Sequence, residues 1–254
     1  MSDDVIGRFR KIGIRADADR LDALLAHATK NRLSSAEFVE QLVALEISDR
    51  EVRNLARRTA DATLGTVPPL DRFDWNHPRT IDRDQYEHQH LHLGFLTEGQ
   101  NVLFRGQSGV GKTMLAQNLA LRAIEQGHTV RFTTLAAALL DLLKQESLPA
   151  VERRLRRYTT PDLLVLDEIG YLPCDARSAD LLYNIISRRH EKKSTVVTTN
   201  LAFKQWNTVF PGAACVVALV DRFAQHCHVF DIDAESWRQK NSLKSSADRA
   251  NRSR

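Results

Sequence analysis

Along residues 17–30 the apolar positions Leu21, Leu24, Leu25 and Ala28 recur at i, i+3, i+4 and i+7, the stripe of an amphipathic helix. Ser34 and Glu37 have capping-box spacing, in which each side chain takes up an orphan backbone N–H of the other, and Phe38, Leu42 and Leu45 carry the next stripe. Ser48 and Glu51 then mark a break or a fresh cap. Pro68-Pro69 and the polar stretch to Pro78 end helical periodicity and predict a linker. After a helix over residues 82–96 the pattern changes. Short apolar runs at 101–105, 129–133, 163–166, 195–199 and 228–232 alternate with helical stretches that begin near Lys112, Leu135 and Arg177, with a shorter one over 150–157. Strands alternating with helices predict a parallel sheet covered on both faces.

Composition narrows the class. The chain has 254 residues, 43% apolar and 27% charged, which fits an ordinary globular protein. Its longest apolar run, residues 213–220, is far short of the roughly 20 that a membrane helix needs. The start, with Ser2, Asp3 and Asp4, lacks the basic, apolar and small-residue order of a secretory leader, so a cytoplasmic location is expected. Cys174, Cys215 and Cys227 are odd in number and form no C-x-x-C pair, which speaks against a disulfide framework or a thiolate zinc site; they are expected to be reduced. His88, His90 and His92 lack carboxylate or thiolate partners at metal-site spacing and read as a solvated face. The net charge of +4 lies wholly in residues 235–254, a tail that either touches phosphates or is merely solvated. Arg50, Arg53 and Arg57, with Arg58 beside them, share a helix face that meets phosphates or is balanced by Asp49, Glu51 and Asp61.

The chemistry starts after the first apolar run. Gly106-Gln107-Ser108-Gly109-Val110-Gly111-Lys112-Thr113 fits G-x-x-x-x-G-K-[ST], between the strand-like Val102-Leu103-Phe104 and a helix opening at Met114. The glycines let backbone N–H groups turn toward a phosphate, and the following helix adds its dipole. Lys112 would reach the β- and γ-phosphates of ATP and the Thr113 hydroxyl would bind Mg²⁺. The run Leu163-Leu164-Val165-Leu166 ends in Asp167-Glu168, at the carboxyl end of a parallel strand where ligands bind. Asp167 would join the Mg²⁺ shell, and Glu168 would orient and deprotonate a water, which favours hydrolysis. Asn200, just after 195–199, is a γ-phosphate sensor or a turn cap. Arg222, in Asp221-Arg222-Phe223, is an arginine finger for the next subunit or a surface partner of Asp221.

Together with Asp167-Glu168-Ile169-Gly170-Tyr171-Leu172-Pro173, the segments Arg188-Arg189-His190-Glu191, Thr198-Thr199-Asn200-Leu201, Trp206, Asp221-Arg222 and Ser236-Trp237-Arg238 resemble the motif series of IstB-type transposition helper ATPases, relatives of DnaC-type helicase loaders. The resemblance extends from the N-terminal helices through Phe73-Asp74-Trp75 to Arg238. It implies an AAA+ fold, a parallel sheet flanked by helices, with a small all-α N-terminal domain and a reduced or absent lid. The division would be 1–66 helical domain for DNA binding or oligomerisation, 67–80 linker, 81–238 ATPase and 239–254 basic tail. It also implies ATP-driven assembly of a homo-oligomer on duplex DNA, with little sequence preference, that recruits and stimulates a transposase. Asn200 becomes the sensor, Arg222 the finger, and Arg53, Arg57, Arg58, Arg153, Arg154, Arg156 and Arg157 the phosphate contacts. Departures are small: Ala234 and Trp237 stand where the family often has Gly and Tyr, Thr199 where Ser is frequent, and Arg238 is a doubtful nucleotide sensor. A helicase loader and a nucleotide-switched DNA-binding module with little turnover are the alternatives.

Overall fold

The computed structural model describes residues 3–170 and 175–237, in two compact units that meet in sequence between Ala60 and Asp61. The motif residues Tyr171, Leu172 and Pro173, Cys174, Arg238 and the basic tail lie outside the described residues.

The first unit is helical: α1 (Asp3–Lys11), α2 (Ala18–Asn31) and most of α3 (Ser35–Ala62). Helix α1 has no counterpart in the sequence pattern, because Val5, Ile6 and Phe9 make too short a stripe among charges. Asp17 caps α2 by accepting from the N–H groups of Asp19 and Arg20 at 3.0 and 3.3 Å. The Ser34–Glu37 box forms, with the Ser34 N–H donating to Glu37 Oε2 at 2.8 Å and the Glu37 N–H to Ser34 Oγ at 3.3 Å. The expected interruption near Ser48 does not occur, and α3 runs unbroken. Glu46 and Asp49, beside Ser48 on the helix, are buried: Glu46 accepts the Arg15 N–H at 2.7 Å, and Asp49 accepts the Asp17 N–H at 3.0 Å while pairing with Arg20.

The second unit is built on five parallel strands, β1 (Asn101–Gly106), β2 (Val130–Thr134), β3 (Leu163–Ile169), β4 (Ser194–Thr199) and β5 (Cys227–Ile232), in the order β2-β3-β4-β1-β5. Strand alternation sorts the core into two layers. Val102, Phe104, Val165, Val196 and Phe230 face one side, packed with Leu115 and Leu119 of α6 (Lys112–Glu125) and Tyr86 of α4 (Arg83–His92). Leu103, Leu164, Leu166 and Val197 face the other, covered by α7 (Leu135–Leu143), α8 (Leu148–Thr159) and α9 (Ala176–Arg189). The short α5 (Gly94–Thr97) follows α4, after Leu93 turns left-handed at φ 51° and splits the helix expected over 82–96. The short α10 (Trp206–Val209) and α11 (Val216–Ala224) complete the second layer. Helix α11 occupies most of the apolar run 213–220; Val216, Leu219 and Phe223 are buried while Val217 stays 73% exposed.

Arg189, 1% exposed, holds the amino ends of β3 and β4 together. Its guanidinium donates to Thr195 Oγ1 at 3.0 Å and to the carbonyls of Tyr158, Pro161, Asp162 and Ser194 at 3.0, 2.7, 3.1 and 2.5 Å. Among the described residues no helix is long and apolar enough to cross a membrane.

Candidate nucleotide site

In a parallel sheet every strand points its carboxyl end the same way, so the loops after β1, β3 and β4 gather at one edge. The order places β4 between β1 and β3, and so sets Asn200 between the glycine-rich loop and the acid pair. The loop needs its glycines for space. At Gly106 a Cβ would lie 2.4 Å from the Ile232 carbonyl oxygen, and at Gly111, where φ is +97°, 2.6 Å from the Phe73 ring. Helix α6 starts at Lys112 with its N-terminus toward the loop, so its unpaired N–H groups and dipole favour an anion there. Lys112 is 6% exposed, and its ammonium donates to the carbonyls of Gly106 and Gln107 at 2.8 and 2.7 Å.

Thr113 Oγ1 lies 3.1 Å from both carboxylate oxygens of Asp167, across the gap from α6 to β3. Asp167 is buried, whereas Glu168, the next residue, is exposed and adopts φ +63°. The ladder accounts for the contrast. Leu166 pairs with Val197 and Ile169 with Thr199, so two residues of β3 oppose the single Thr198 of β4. That extra residue is a β-bulge, a device that re-aims side chains. A buried carboxylate facing a threonine hydroxyl offers the hard oxygen donors that Mg²⁺ takes, so Thr113 and Asp167 fit the ion.

Asn200 is exposed beside the loop and lines a cavity of about 330 Å³ with Gly106, Gln107, Gln205 and the Arg105–Asp231 ion pair. On the other side of the loop a cavity of about 100 Å³ lies between Val110, Gly111 and Met114 and a wall made by Phe73, His77 and Trp237. The motif-like Ser236-Trp237-Arg238 and the aromatic run Phe73-Asp74-Trp75 each supply a ring to that wall, whereas His77 carries no sequence signal. The Trp237 N–H donates to the Gly109 carbonyl at 3.1 Å, the His77 ring bonds the Glu235 carbonyl at 2.8 Å, and the His77 and Trp237 rings meet edge to face at 4.9 Å.

Arg222 is not among these groups. The Phe223 carbonyl accepts from Asn101 Nδ2 at 2.9 Å, at the amino end of β1. The six-residue strand at about 3.3 Å per residue then separates that point from the glycine-rich loop by roughly 17 Å. The Arg222 guanidinium lies 4.9 Å from the Tyr183 ring centroid and donates to Ser187 Oγ, both on α9.

The basic clusters differ in their engagement. Arg53 donates to Glu46 and to the Arg15 carbonyl, each at 2.9 Å, and Arg57 to Asn54 at 3.4 Å; Arg58 is half-buried. On α8, Arg154 is bound by Asp141, while Arg153, Arg156 and Arg157 are exposed.

The profile of a family described as IstB-like ATP binding protein matches residues 8–245. The ATP-binding protein of insertion sequence IS21 from Pseudomonas aeruginosa is 34% identical over 224 residues, 88% of this chain and 84% of that protein. That of insertion sequence IS232 from Bacillus thuringiensis subsp. berliner is 34% identical over 226 residues, 88% and 89% of the two chains. Among solved structures, DnaI superposes with a TM-score of 0.54 at 18% identity over 66% of this chain and 92% of that one. The replication initiator DnaA, solved with AMPPCP and single-stranded DNA, gives 0.51 at 17% over 65% and 52%. These likenesses carry the fold, a helix-flanked parallel sheet of the AAA+ type. With its glycine-rich loop and acid pair at the carboxyl edge of that sheet, the chain belongs to the family of IstB-like ATP-binding proteins and is an AAA+ ATPase.

Proposed function

We propose that this ATPase assembles on duplex DNA as a homo-oligomer, each subunit completing its neighbour's nucleotide site, and that the assembly assists the transposase of an insertion element. The observation that carries the reading is the position of Arg222, about a strand length from the glycine-rich loop of its own chain. An arginine so placed serves a nucleotide only in trans, so hydrolysis depends on assembly.

Within one site, Lys112 and the N–H groups of the loop bind the phosphates, and Thr113 and Asp167 hold Mg²⁺. When bound, the ion neutralises charge on the β- and γ-oxygens. Glu168, turned outward by the bulge, accepts a proton from the attacking water, and Asn200 orients that water or the γ-phosphate. Phe73, His77 and Trp237 form the wall that packs against the base. The exposed Arg153, Arg156 and Arg157 are the strongest phosphate contacts for DNA. Arg53 and Arg154 would first have to leave Glu46 and Asp141. The relatives' insertion-sequence names support a transposase as partner.

The test mixes two inactive variants. Arg222→Ala and Glu168→Gln should each bind ATP and lose turnover, the arginine loss costing about 10³-fold or more. Mixed, they restore junctions in which an intact Glu168 faces an intact Arg222, so DNA-stimulated turnover should return. A mixture that stays inactive while the chain remains a monomer by light scattering with ATP and duplex present would overturn the reading.

A further inference from the structure

We propose that Thr198 is a positioning residue for hydrolysis, one hydroxyl that orients both acids of the site. The inference rests on the roles given above to Asp167 and Glu168. Thr198 is 1% exposed at the carboxyl end of β4 and is the single residue opposite the two-residue bulge. Its Oγ1 accepts the Glu168 N–H at 2.9 Å and donates to Asp167 Oδ1 at 2.5 Å.

The direction of these bonds is fixed by chemistry. A hydroxyl has one proton to give and lone pairs to receive, an ionised carboxylate can only accept, and an amide N–H can only donate. Thr198 therefore must point its proton at Asp167 and its lone pair at Glu168. Each bond does separate work. The first sets the carboxylate of Asp167 from the β4 side, while Thr113 approaches both of its oxygens from α6. Thr113 is the group that must also reach the ion, so Thr198 is the hydroxyl left to hold the carboxylate. The second bond satisfies an N–H that the bulge removes from the strand ladder, at a residue whose φ of +63° needs its surroundings to hold it. Without it the buried acid and the outward-turned acid lose the fixed relation that lets consecutive residues do two jobs.

Thr198→Val keeps the shape and removes both bonds; Thr198→Ser keeps both. The full chain carrying each would be compared with wild type in two measurements, Mg²⁺ titrations of fluorescent ATP-analogue binding and DNA-stimulated turnover. Groups that orient metal ligands change metal affinity or activity about 10–100-fold when removed. Thr198→Val should therefore bind nucleotide without Mg²⁺ as wild type does, need about 10-fold more Mg²⁺ to reach its Mg²⁺-dependent binding, and turn over about 100-fold more slowly. Thr198→Ser should restore both to within about threefold. Wild-type Mg²⁺ dependence and turnover in Thr198→Val would overturn the proposal, as would a serine variant as impaired as the valine one. If Thr198→Val lacks a native melting transition, Thr198→Ala, which also removes both bonds, takes its place under the same criteria. Asp167→Asn is the control: an unchanged Mg²⁺ dependence there removes Asp167 from the metal site, and so fails the underlying reading instead.

Discussion

Replacing Arg189 by Met keeps much of the side-chain volume and deletes every donor. Three acceptors of this guanidinium are fully interior: the Tyr158 carbonyl, the Ser194 carbonyl and Thr195 Oγ1. A buried acceptor left unpaired costs about 1–3 kcal/mol. The carbonyls of Pro161 and Asp162 are less enclosed and can recruit water. Burial pushes the Arg189 pKa down to about 9, so the group is still charged at neutral pH and its removal relieves some desolvation. The net expectation for Arg189→Met is a loss of about 3–5 kcal/mol, from the three interior acceptors less that relief. At about 2–4 °C per kcal/mol this lowers Tm by roughly 6–20 °C. Arg189→Lys, with three donors on one ammonium, should lose about half as much. Thermal and urea melts of the full chain read the effect. A loss below about 1 kcal/mol for the Met variant would refute the view that this arginine clamps the sheet.

Gly111→Ala forces a side chain into a left-handed backbone against Phe73 and should weaken ATP binding about 10-fold or more by calorimetry; unchanged affinity would contradict the tight seating of that ring on the loop. Replacing Arg153, Arg156 and Arg157 together by Ala should flatten the log-log salt dependence of duplex binding by about 0.9 for each phosphate that is no longer neutralised, with an unaltered melt; an unchanged slope would remove α8 from the DNA surface. The hydrogen bond from Arg154 is the main influence holding Asp141 below its ordinary value of 3.8, with help from the Tyr158 hydroxyl against the opposing effect of burial. A depressed carboxyl stabilises above its unfolded pKa and loses that contribution as pH falls through its lower folded value. Asp141→Asn should thus be less stable than wild type at pH 7, and the difference should shrink as pH falls below 3.8 toward the lower folded value; a difference in urea melts that stays constant on acidification would contradict the assignment.

The strand positions were legible because parallel strands buried on both faces read as short apolar runs, and the run at 195–199 differs from β4 by one residue. The glycine-rich loop and Asp167-Glu168 were legible because phosphate chemistry demands those residue types in fixed order. Other features depend on partners distant in sequence. His77 meets the Glu235 carbonyl across 158 positions, so no local pattern announces that contact. Thr198 stands in the motif-like Thr198-Thr199-Asn200-Leu201, but inside a run of β-branched residues its hydroxyl reads only as strand propensity. The bulge that gives it two partners is a property of the pairing of β3 with β4. Ser48 and Glu51 misled in the opposite sense, since cap-type spacing inside a long helix reads as a break, and the burial of Glu46 and Asp49 against the N–H groups of Arg15 and Asp17 is a tertiary feature that no local pattern carries.

His77 and Trp237 stand near opposite margins of the ATPase unit, yet their rings touch, and the backbone around them is laced by the Thr80–Asp233 bridge. Because the Trp237 amide also holds the Gly109 carbonyl, the cleft beside Gly111 has a latch contributed by both margins. On the reading proposed above, in which the base packs against this wall, a departing nucleotide would part that latch, and its dwell time would report on tension at either end of the unit. Pulling on the chain before Phe73 or after Trp237 would thereby be felt as faster exchange.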